Sequence, residues 1–284
     1  MNARARLRAP ARRASARSTR CLQPCVLHVH KDHEAMSRAA ADHIVEAVKA
    51  KPDVLLGLGT GATPERLYAL LVERHRAARS LFARARFIQL DEWGGLARGD
   101  RATCAAYLRT RLIEPLGVDS RRFLAWDSHS PDPSGECVRV AAWLKEHGPI
   151  DICILGLGRN GHLGFNEPAD ALQTGAHVTE LSPATLQHSM LRAAKGVVQY
   201  GLTLGVADIM HSREILLLVS GAVKAAQLRR AIRGGVTARC PASILSLHCA
   251  LSVYCDRAAV GLGEATGCLE VSSRSGNGGR NGRK

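Results

Sequence analysis

The stretch Asp151-Ile-Cys-Ile-Leu-Gly-Leu-Gly-Arg-Asn-Gly-His-Leu-Gly-Phe-Asn-Glu-Pro168 decides how the chain folds. An apolar run of strand length stops at glycines and is followed at once by His162 and then Glu167. A strand ending in a Gly-rich turn that carries an imidazole and a carboxylate holds acid–base groups at the rim of an α/β sheet. Ligands bind at that rim, outside the carboxyl ends of parallel strands.

The rest of the chain repeats the layout. Leu27-His-Val-His30 reads as a short strand, and residues 33–50 as a helix with Ile44, Val45 and Val48 on one face. Asp53-Val-Leu-Leu-Gly-Leu-Gly59 is a buried strand; Thr60-Gly-Ala-Thr63 is a turn, and Pro64 opens a helix through about His75. Proline at the first helical position after a Thr cap is a start signal. Arg86-Phe-Ile-Gln-Leu-Asp91, Ile152 to Leu157, Glu214 to Ser220 and Leu251 to Cys255 read as further strands, and 101–113, 134–147 and 222–232 as helices. Strands separated by helices predict a three-layer α/β/α fold around a mainly parallel, Rossmann-like sheet. Neither a repeat nor a linker interrupts 26–260, which is expected to be a single catalytic domain between disordered basic tails at 1–25 and 261–284.

Composition limits the partners. The 284 residues are 46% apolar and 23% charged, ordinary for a globular protein. No run approaches the ~18 apolar residues of a membrane span. The net charge of +14 resembles a nucleic-acid signal, but its distribution argues otherwise: seven arginines in residues 1–20, with Arg274, Arg280, Arg283 and Lys284, supply +11 of it without an acid among them, leaving about +3 for the body. Nucleic-acid and membrane partners are therefore not expected. The Arg-rich, acid-free start fits a transit peptide, an over-extended start site or an untargeted basic arm. The nine cysteines are odd in number; Cys104, Cys137 and Cys153 read as small buried hydrophobes, and Cys21 and Cys25 lack zinc-site spacing. This is the usage of a reduced, cytoplasmic protein.

Four strand ends carry chemistry. Gly59-Thr60-Gly61-Ala62-Thr63-Pro64 places backbone N–H groups and two hydroxyls at a helix start, an anion cradle, although a tight turn needing glycine reads the same residues equally well. Asp91-Glu92 puts an acid at the end of an apolar strand, a costly place unless it is solvated or paired. Gly156 to Gly161 matches G-x-G-x-x-G literally, but Gly164 and Pro168 leave no clean helix for a dinucleotide, so no cofactor is expected. His162 with Glu167 is a pair able to move protons near neutral pH. Ser220-Gly-Ala-Val-Lys224 sets a lysine in a first helical turn, against the helix dipole unless it serves an anion. The twelve histidines do not group at metal-ligand spacing, so no metal is expected. The set suits acid–base chemistry on a small phosphorylated molecule.

At these residues the chain resembles the glucosamine-6-phosphate deaminase/isomerase family, which shares its fold with 6-phosphogluconolactonases. The resemblance spans about 26–258 and rests on Leu58-Gly-Thr-Gly-Ala-Thr-Pro64, Leu90-Asp-Glu-Trp-Gly-Gly-Leu96, Gly156 through Pro168, and Ser220-Gly-Ala-Val-Lys224. Asn166-Glu-Pro168 favours deaminases over lactonases. Within the family the chain looks most like a galactosamine-6-phosphate branch, through Asp91-Glu-Trp-Gly-Gly-Leu96 and through Asn160, where the glucosamine branch usually has Asp. That branch also carries basic residues for an allosteric activator where this chain reads Gln173-Thr-Gly-Ala-His-Val178, so allosteric activation is not expected. An arginine the glucosamine branch uses for the substrate phosphate falls near Met190-Leu191 and is missing; His188 or Arg192 would be the substitute.

The resemblance implies an amino-sugar-phosphate isomerase and deaminase of amino sugar catabolism, classed also as a hydrolase. It would turn galactosamine 6-phosphate into tagatose 6-phosphate and ammonia, or glucosamine 6-phosphate into fructose 6-phosphate and ammonia; the remaining alternative is a 6-phosphogluconolactonase, which would release acid and no ammonia. His162 would open the sugar ring, and Asp91 would carry a proton from C2 to C1. Glu167 and Asn160 would orient His162, with Glu167 alone supporting its charged form. Thr60, Gly61, Ala62, Thr63 and Lys224 would hold the phosphate. Family members are often oligomeric; a homo-oligomer is compatible with the sequence, and no residue marks an interface.

Overall fold

A computed structural model describes residues 25–261. The tails expected at 1–25 and 261–284 lie outside the described residues apart from Cys25 and Gly261. In chain order the elements are β1 (Val26–His30), α1 (His33–Ala50), β2 (Leu55–Leu58), α2 (Ala62–Ala77), β3 (Arg86–Gln89), β4 (Asp91–Gly94), α3 (Cys104–Leu108), β5 (Phe123–Leu124), α4 (Pro133–His147), β6 (Ile152–Gly156), β7 (His177–Thr179), α5 (Pro183–Leu186), β8 (Tyr200–Thr203), α6 (Val206–Met210), β9 (Glu214–Val219), α7 (Ala225–Arg233), β10 (Leu251–Asp256) and α8 (Arg257–Val260).

Seven strands form one sheet in the order β1-β10-β9-β6-β2-β3-β5, every neighbouring pair parallel. Alternate residues of each strand face opposite layers, as the two-residue period of a strand requires. Leu56, Leu58, Phe87, Ile154, Leu216 and Leu218 pack with the apolar faces of α1 and α2. Leu55, Ile88, Cys153, Leu155, Leu217 and Val253 pack on the other face with residues of α4, α6 and α7. This is the three-layer α/β/α, mainly parallel Rossmann-like arrangement expected from the alternation.

The sheet order makes the chemistry local. β9, β6, β2 and β3 are consecutive neighbours in the sheet. Their carboxyl ends lead to Lys224, His162, Thr60 and Asp91, which are far apart in sequence and adjacent along one rim. Parallel pairing brings these ends to the same edge.

Three local expectations are corrected. The strand read as Arg86 to Asp91 ends at Gln89; Asp91 opens β4, which belongs to a second, antiparallel sheet in the order β4-β8-β7. Leu90 is the splice: its N–H donates to Leu58 O of the large sheet at 3.2 Å, and its carbonyl accepts from Leu204 N at 2.9 Å beside β8. The helix expected over 101–113 begins at Cys104, capped by Thr103, and continues as a π-type turn over Arg109–Ile113. Lys224 ends a short 3-10 turn, Ala222–Lys224, and caps α7 instead of lying in its first turn.

Candidate active site

The turn after β2 delivers an unsatisfied helix start. Gly61 is the N-cap of the 16-residue α2 and supplies no side-chain cap. The first backbone N–H groups of an α-helix have no partner within it, and here they include those of Ala62 and Thr63. Tyr68 Oη donates to Gly59 O at 2.6 Å and Tyr107 Oη to Gly61 O at 2.7 Å, so two buried phenols fix the turn from below. His33 Nε2 meets Thr63 O at 2.9 Å.

Asp91 lies at the splice between the sheets and is 5% exposed. Its Oδ1 is buried and without a hydrogen-bond partner. Burial, then the charge of Glu92, push the Asp91 carboxyl up to about 7. A Cβ on Gly164 would stand 3.1 Å from Asp91 Oδ2, so the loop bearing His162 passes directly over the carboxylate. The buried Cys104 thiol accepts from Thr60 Oγ1 at 3.5 Å, joining α3 to the turn after β2.

Glu92 is fully buried and pairs away from the cleft. It accepts from Trp93 N and Cys104 N at 2.7 Å on Oε1, and from Ala105 N at 2.8 Å and Gln89 Nε2 at 2.9 Å on Oε2. Burial outweighs these donors and raises its pKa. Glu92 thus anchors β4 to the start of α3 and places its charge beside Asp91.

The His162 ring is packed over the turn after β6. A Cβ on Gly158 would collide with it at 2.3–2.5 Å, so only glycine lets the imidazole lie there. Gly158 N donates to His162 O at 3.1 Å, closing the loop. His162 Nδ1 stands 3.7 Å from Glu167 Oε2, an ion-pair separation longer than a hydrogen bond. The hydrogen bonds of Asn160 go to Glu167 and to the His162 backbone, so any orienting of the imidazole runs through them. Asn160 Nδ2 donates to Glu167 Oε2 at 2.7 Å, and its Oδ1 accepts from His162 N at 3.1 Å. It positions the carboxylate and the backbone.

Glu167 has two further donors that the sequence reading missed. Thr185 Oγ1 reaches its Oε1 at 2.5 Å and Ser182 Oγ at 3.2 Å. Burial would raise this carboxyl, but His162, Thr185 and Asn160 pull it down to about 2, so it is ionised throughout the neutral range. The pattern Ser182-Pro-Ala-Thr185 is a helix-cap signature, and the cap is present: Ser182 accepts from Thr185 N at 3.2 Å. Its second use on Glu167 had no signal in the sequence. A Glu167→Gln substitution keeps the shape and removes the charge facing His162. Turnover is expected to fall about 10²-fold or more, with KM less affected; steady-state kinetics check this, and near-normal turnover would show that His162 needs no anionic support.

Lys224 completes the rim. Its Nζ donates to Leu157 O, and burial followed by the charge of Arg159 lowers its pKa to about 8. All nine residues expected in the site follow the ends of four neighbouring strands: Thr60, Gly61, Ala62 and Thr63 after β2, Asp91 after β3, Asn160, His162 and Glu167 after β6, and Lys224 after β9. Cys104, Glu92, Ser182, Thr185 and His188 join them.

Comparisons with known proteins give the family of the chain. Residues 31–253 match the model of the family described as glucosamine-6-phosphate isomerases/6-phosphogluconolactonase. The chain is 37% identical to the Escherichia coli (strain K12) protein named "Putative deaminase AgaI" over 218 residues, 77% of this chain and 86% of the relative. It is 37% identical to the glucosamine-6-phosphate deaminase of Geobacillus sp. (strain WCH70) over 233 residues, 81% of this chain and 93% of the relative. The solved structure of a monomeric glucosamine-6-phosphate deaminase superposes with a TM-score of 0.78 at 34% identity, over 82% of this chain and 98% of the other. These relatives are named as deaminases, within a family of isomerases, which overturns the expectation of a hydrolase. No helix among the described residues is long and apolar enough to cross a membrane. By its fold, its motifs in order and these matches, the chain belongs to the glucosamine-6-phosphate isomerase/6-phosphogluconolactonase family.

Proposed function

We propose that residues 26–260 act as one catalytic domain that converts galactosamine 6-phosphate to tagatose 6-phosphate with release of ammonia. The observation that carries the reading is Asp91: a buried carboxylate with a free oxygen and a pKa raised to about 7, beneath the His162 loop and beside an uncapped helix start. A base poised near the working pH is what proton transfer between adjacent carbons needs.

The start of α2 and Lys224 hold the phosphate, fixing C1 and C2 against Asp91. His162 moves a proton from the anomeric hydroxyl to the ring oxygen and opens the ring. Asp91 removes the proton from C2 and returns it to C1. The carbon bearing the amine becomes an imine, water adds, and ammonia leaves a ketone at C2. Glu167 holds His162 while it is charged. Asn160 and the Asp91-Glu-Trp-Gly-Gly-Leu96 motif favour the galacto sugar; the names of several relatives favour the gluco sugar, whose product would be fructose 6-phosphate.

The test is ammonia release from each sugar phosphate separately. Faster release from galactosamine 6-phosphate is expected. Faster release from glucosamine 6-phosphate would overturn the sugar assignment and keep the reaction. No ammonia from either, with folded protein, would overturn the roles of Asp91 and His162.

A further inference from the structure

We propose that His188 is a phosphate-binding residue whose Nε2–H faces the cradle beside Gly61, and that its hold on the phosphate also seats the segment supporting Glu167. This rests on the reading of the Thr60–Thr63 turn as the phosphate cradle.

The geometry fixes which nitrogen meets the ligand. His188 caps the short turn Ser189–Ala193, and its Nδ1 accepts from Met190 N at 3.3 Å. An imidazole whose Nδ1 accepts carries its proton on Nε2 when neutral. Nε2 is therefore a donor in both protonation states. It faces the cradle, 3.9 Å from where a Cβ on Gly61 would stand. The ring sits against Trp93 of β4, with centroids 6.0 Å apart. Arg192, the other residue near the missing arginine, is exposed.

The charges converge on the same place. The groups whose charge His188 feels are His162 and Arg159 of the loop after β6 and Lys224 after β9. Burial first, then these three, lower its pKa. A cation-capable ring disfavoured by other cations is relieved by a bound dianion, so phosphate raises the His188 pKa; the proton taken up goes to Nδ1 and displaces the long bond from Met190 N. The affinity for phosphate then carries a pH dependence from His188, beside the one Lys224 contributes as it loses its proton at about pH 8, and a permanently charged arginine fork in place of His188 would not supply that share.

The segment gives the second consequence. His188 lies three residues after Thr185 and six after Ser182, the two residues that donate to Glu167 Oε1. Phosphate drawn to His188 tethers this short stretch and, through it, the carboxylate behind His162. Loss of the contact should therefore lower kcat as well as raise KM, the pattern of binding energy from a remote group being used at the reacting centre.

The experiment measures binding of inorganic phosphate by calorimetry, and KM and kcat for the sugar phosphate, in wild type, His188→Ala, His188→Arg and Arg192→Ala between pH 6 and 8.5. His188→Ala is expected to weaken phosphate binding about tenfold or more and to lower kcat; His188→Arg should restore binding and remove the pH dependence that is lost in His188→Ala, leaving the share due to Lys224. On adding phosphate to wild type, the His188 imidazole resonance should titrate at higher pH. Unchanged phosphate affinity in His188→Ala, or a loss confined to Arg192→Ala, would overturn the proposal. If wild type releases no ammonia yet His188 still responds to phosphate, the reaction assigned above fails and the role of His188 stands.

Discussion

Asp91→Asn should reduce ammonia release about 10²- to 10⁴-fold, the usual contribution of a positioned general base, with KM changed far less. The substitution is nearly isosteric, and Asp91 Oδ1 accepts no hydrogen bond, so the folded state loses little. The pH profile gives a separate check. Asp91 must be ionised to accept the C2 proton. Burial and the charge of Glu92 push its carboxyl up to about 7, so kcat/KM should rise with pH through about 7 on its acid limb. Glu92→Gln removes the neighbouring charge and should move that limb to lower pH. An acid limb unchanged in Glu92→Gln, or substantial turnover in Asp91→Asn, would transfer the base to another residue.

Glu92→Ala should be the most destabilising single change near the site. Four donors, Gln89 Nε2 and the N–H groups of Trp93, Cys104 and Ala105, converge on a side chain with no exposure. Deleting the acceptor leaves them unpaired around a cavity, at a cost of about 3–5 kcal/mol. In a protein of this size that lowers the melting temperature by about 10 °C. Calorimetry at neutral pH checks it; a loss below about 1 kcal/mol would mean that α3 finds other caps. Glu92→Gln keeps the shape and an acceptor oxygen, so it should lose less.

The parts of the fold legible in the sequence were those with a strong local period. β2, β6, β9 and β10 are apolar runs bounded by turn residues, and α1 and α4 have clear caps in Asp32 and Asp132, so their positions were read within a few residues. β4, β7 and β8 were missed for a physical reason. They are three or four residues long, they pair only with one another, and Asp91-Glu-Trp-Gly94 has no alternation because all four residues are buried. The Asp91 that seemed to close one strand in fact opens another.

The site was legible wherever function and backbone signal coincide. Thr60–Thr63, Asp91, His162 and Lys224 each follow a readable strand, and the parallel order alone brings them together. Thr185 and Ser182 arrive from a segment with little periodic pattern, and only three-dimensional contact reveals that they touch Glu167; His188 stood out only by its place near the missing arginine, and contact adds that its Nε2 lies beside Gly61. Glu92 stands beside Asp91 as one acidic pair in the sequence, yet the two side chains differ: Glu92 is saturated by donors, while Asp91 keeps Oδ1 without one.

The splice at Leu90 has a consequence for anyone who would remodel this protein. One residue hydrogen-bonds to the large sheet through its N–H and beside the small sheet through its carbonyl, and the next residue is Asp91. The small sheet is therefore no detachable module. A chimera that exchanges β4, β7 and β8 between relatives has its junction one peptide bond from Asp91, so an error of one residue there turns the carboxylate to the opposite face of its strand. Segments that carry new specificity are better joined in the loops before β7 or after β8, leaving residues 89–93 and their partners to travel as one piece.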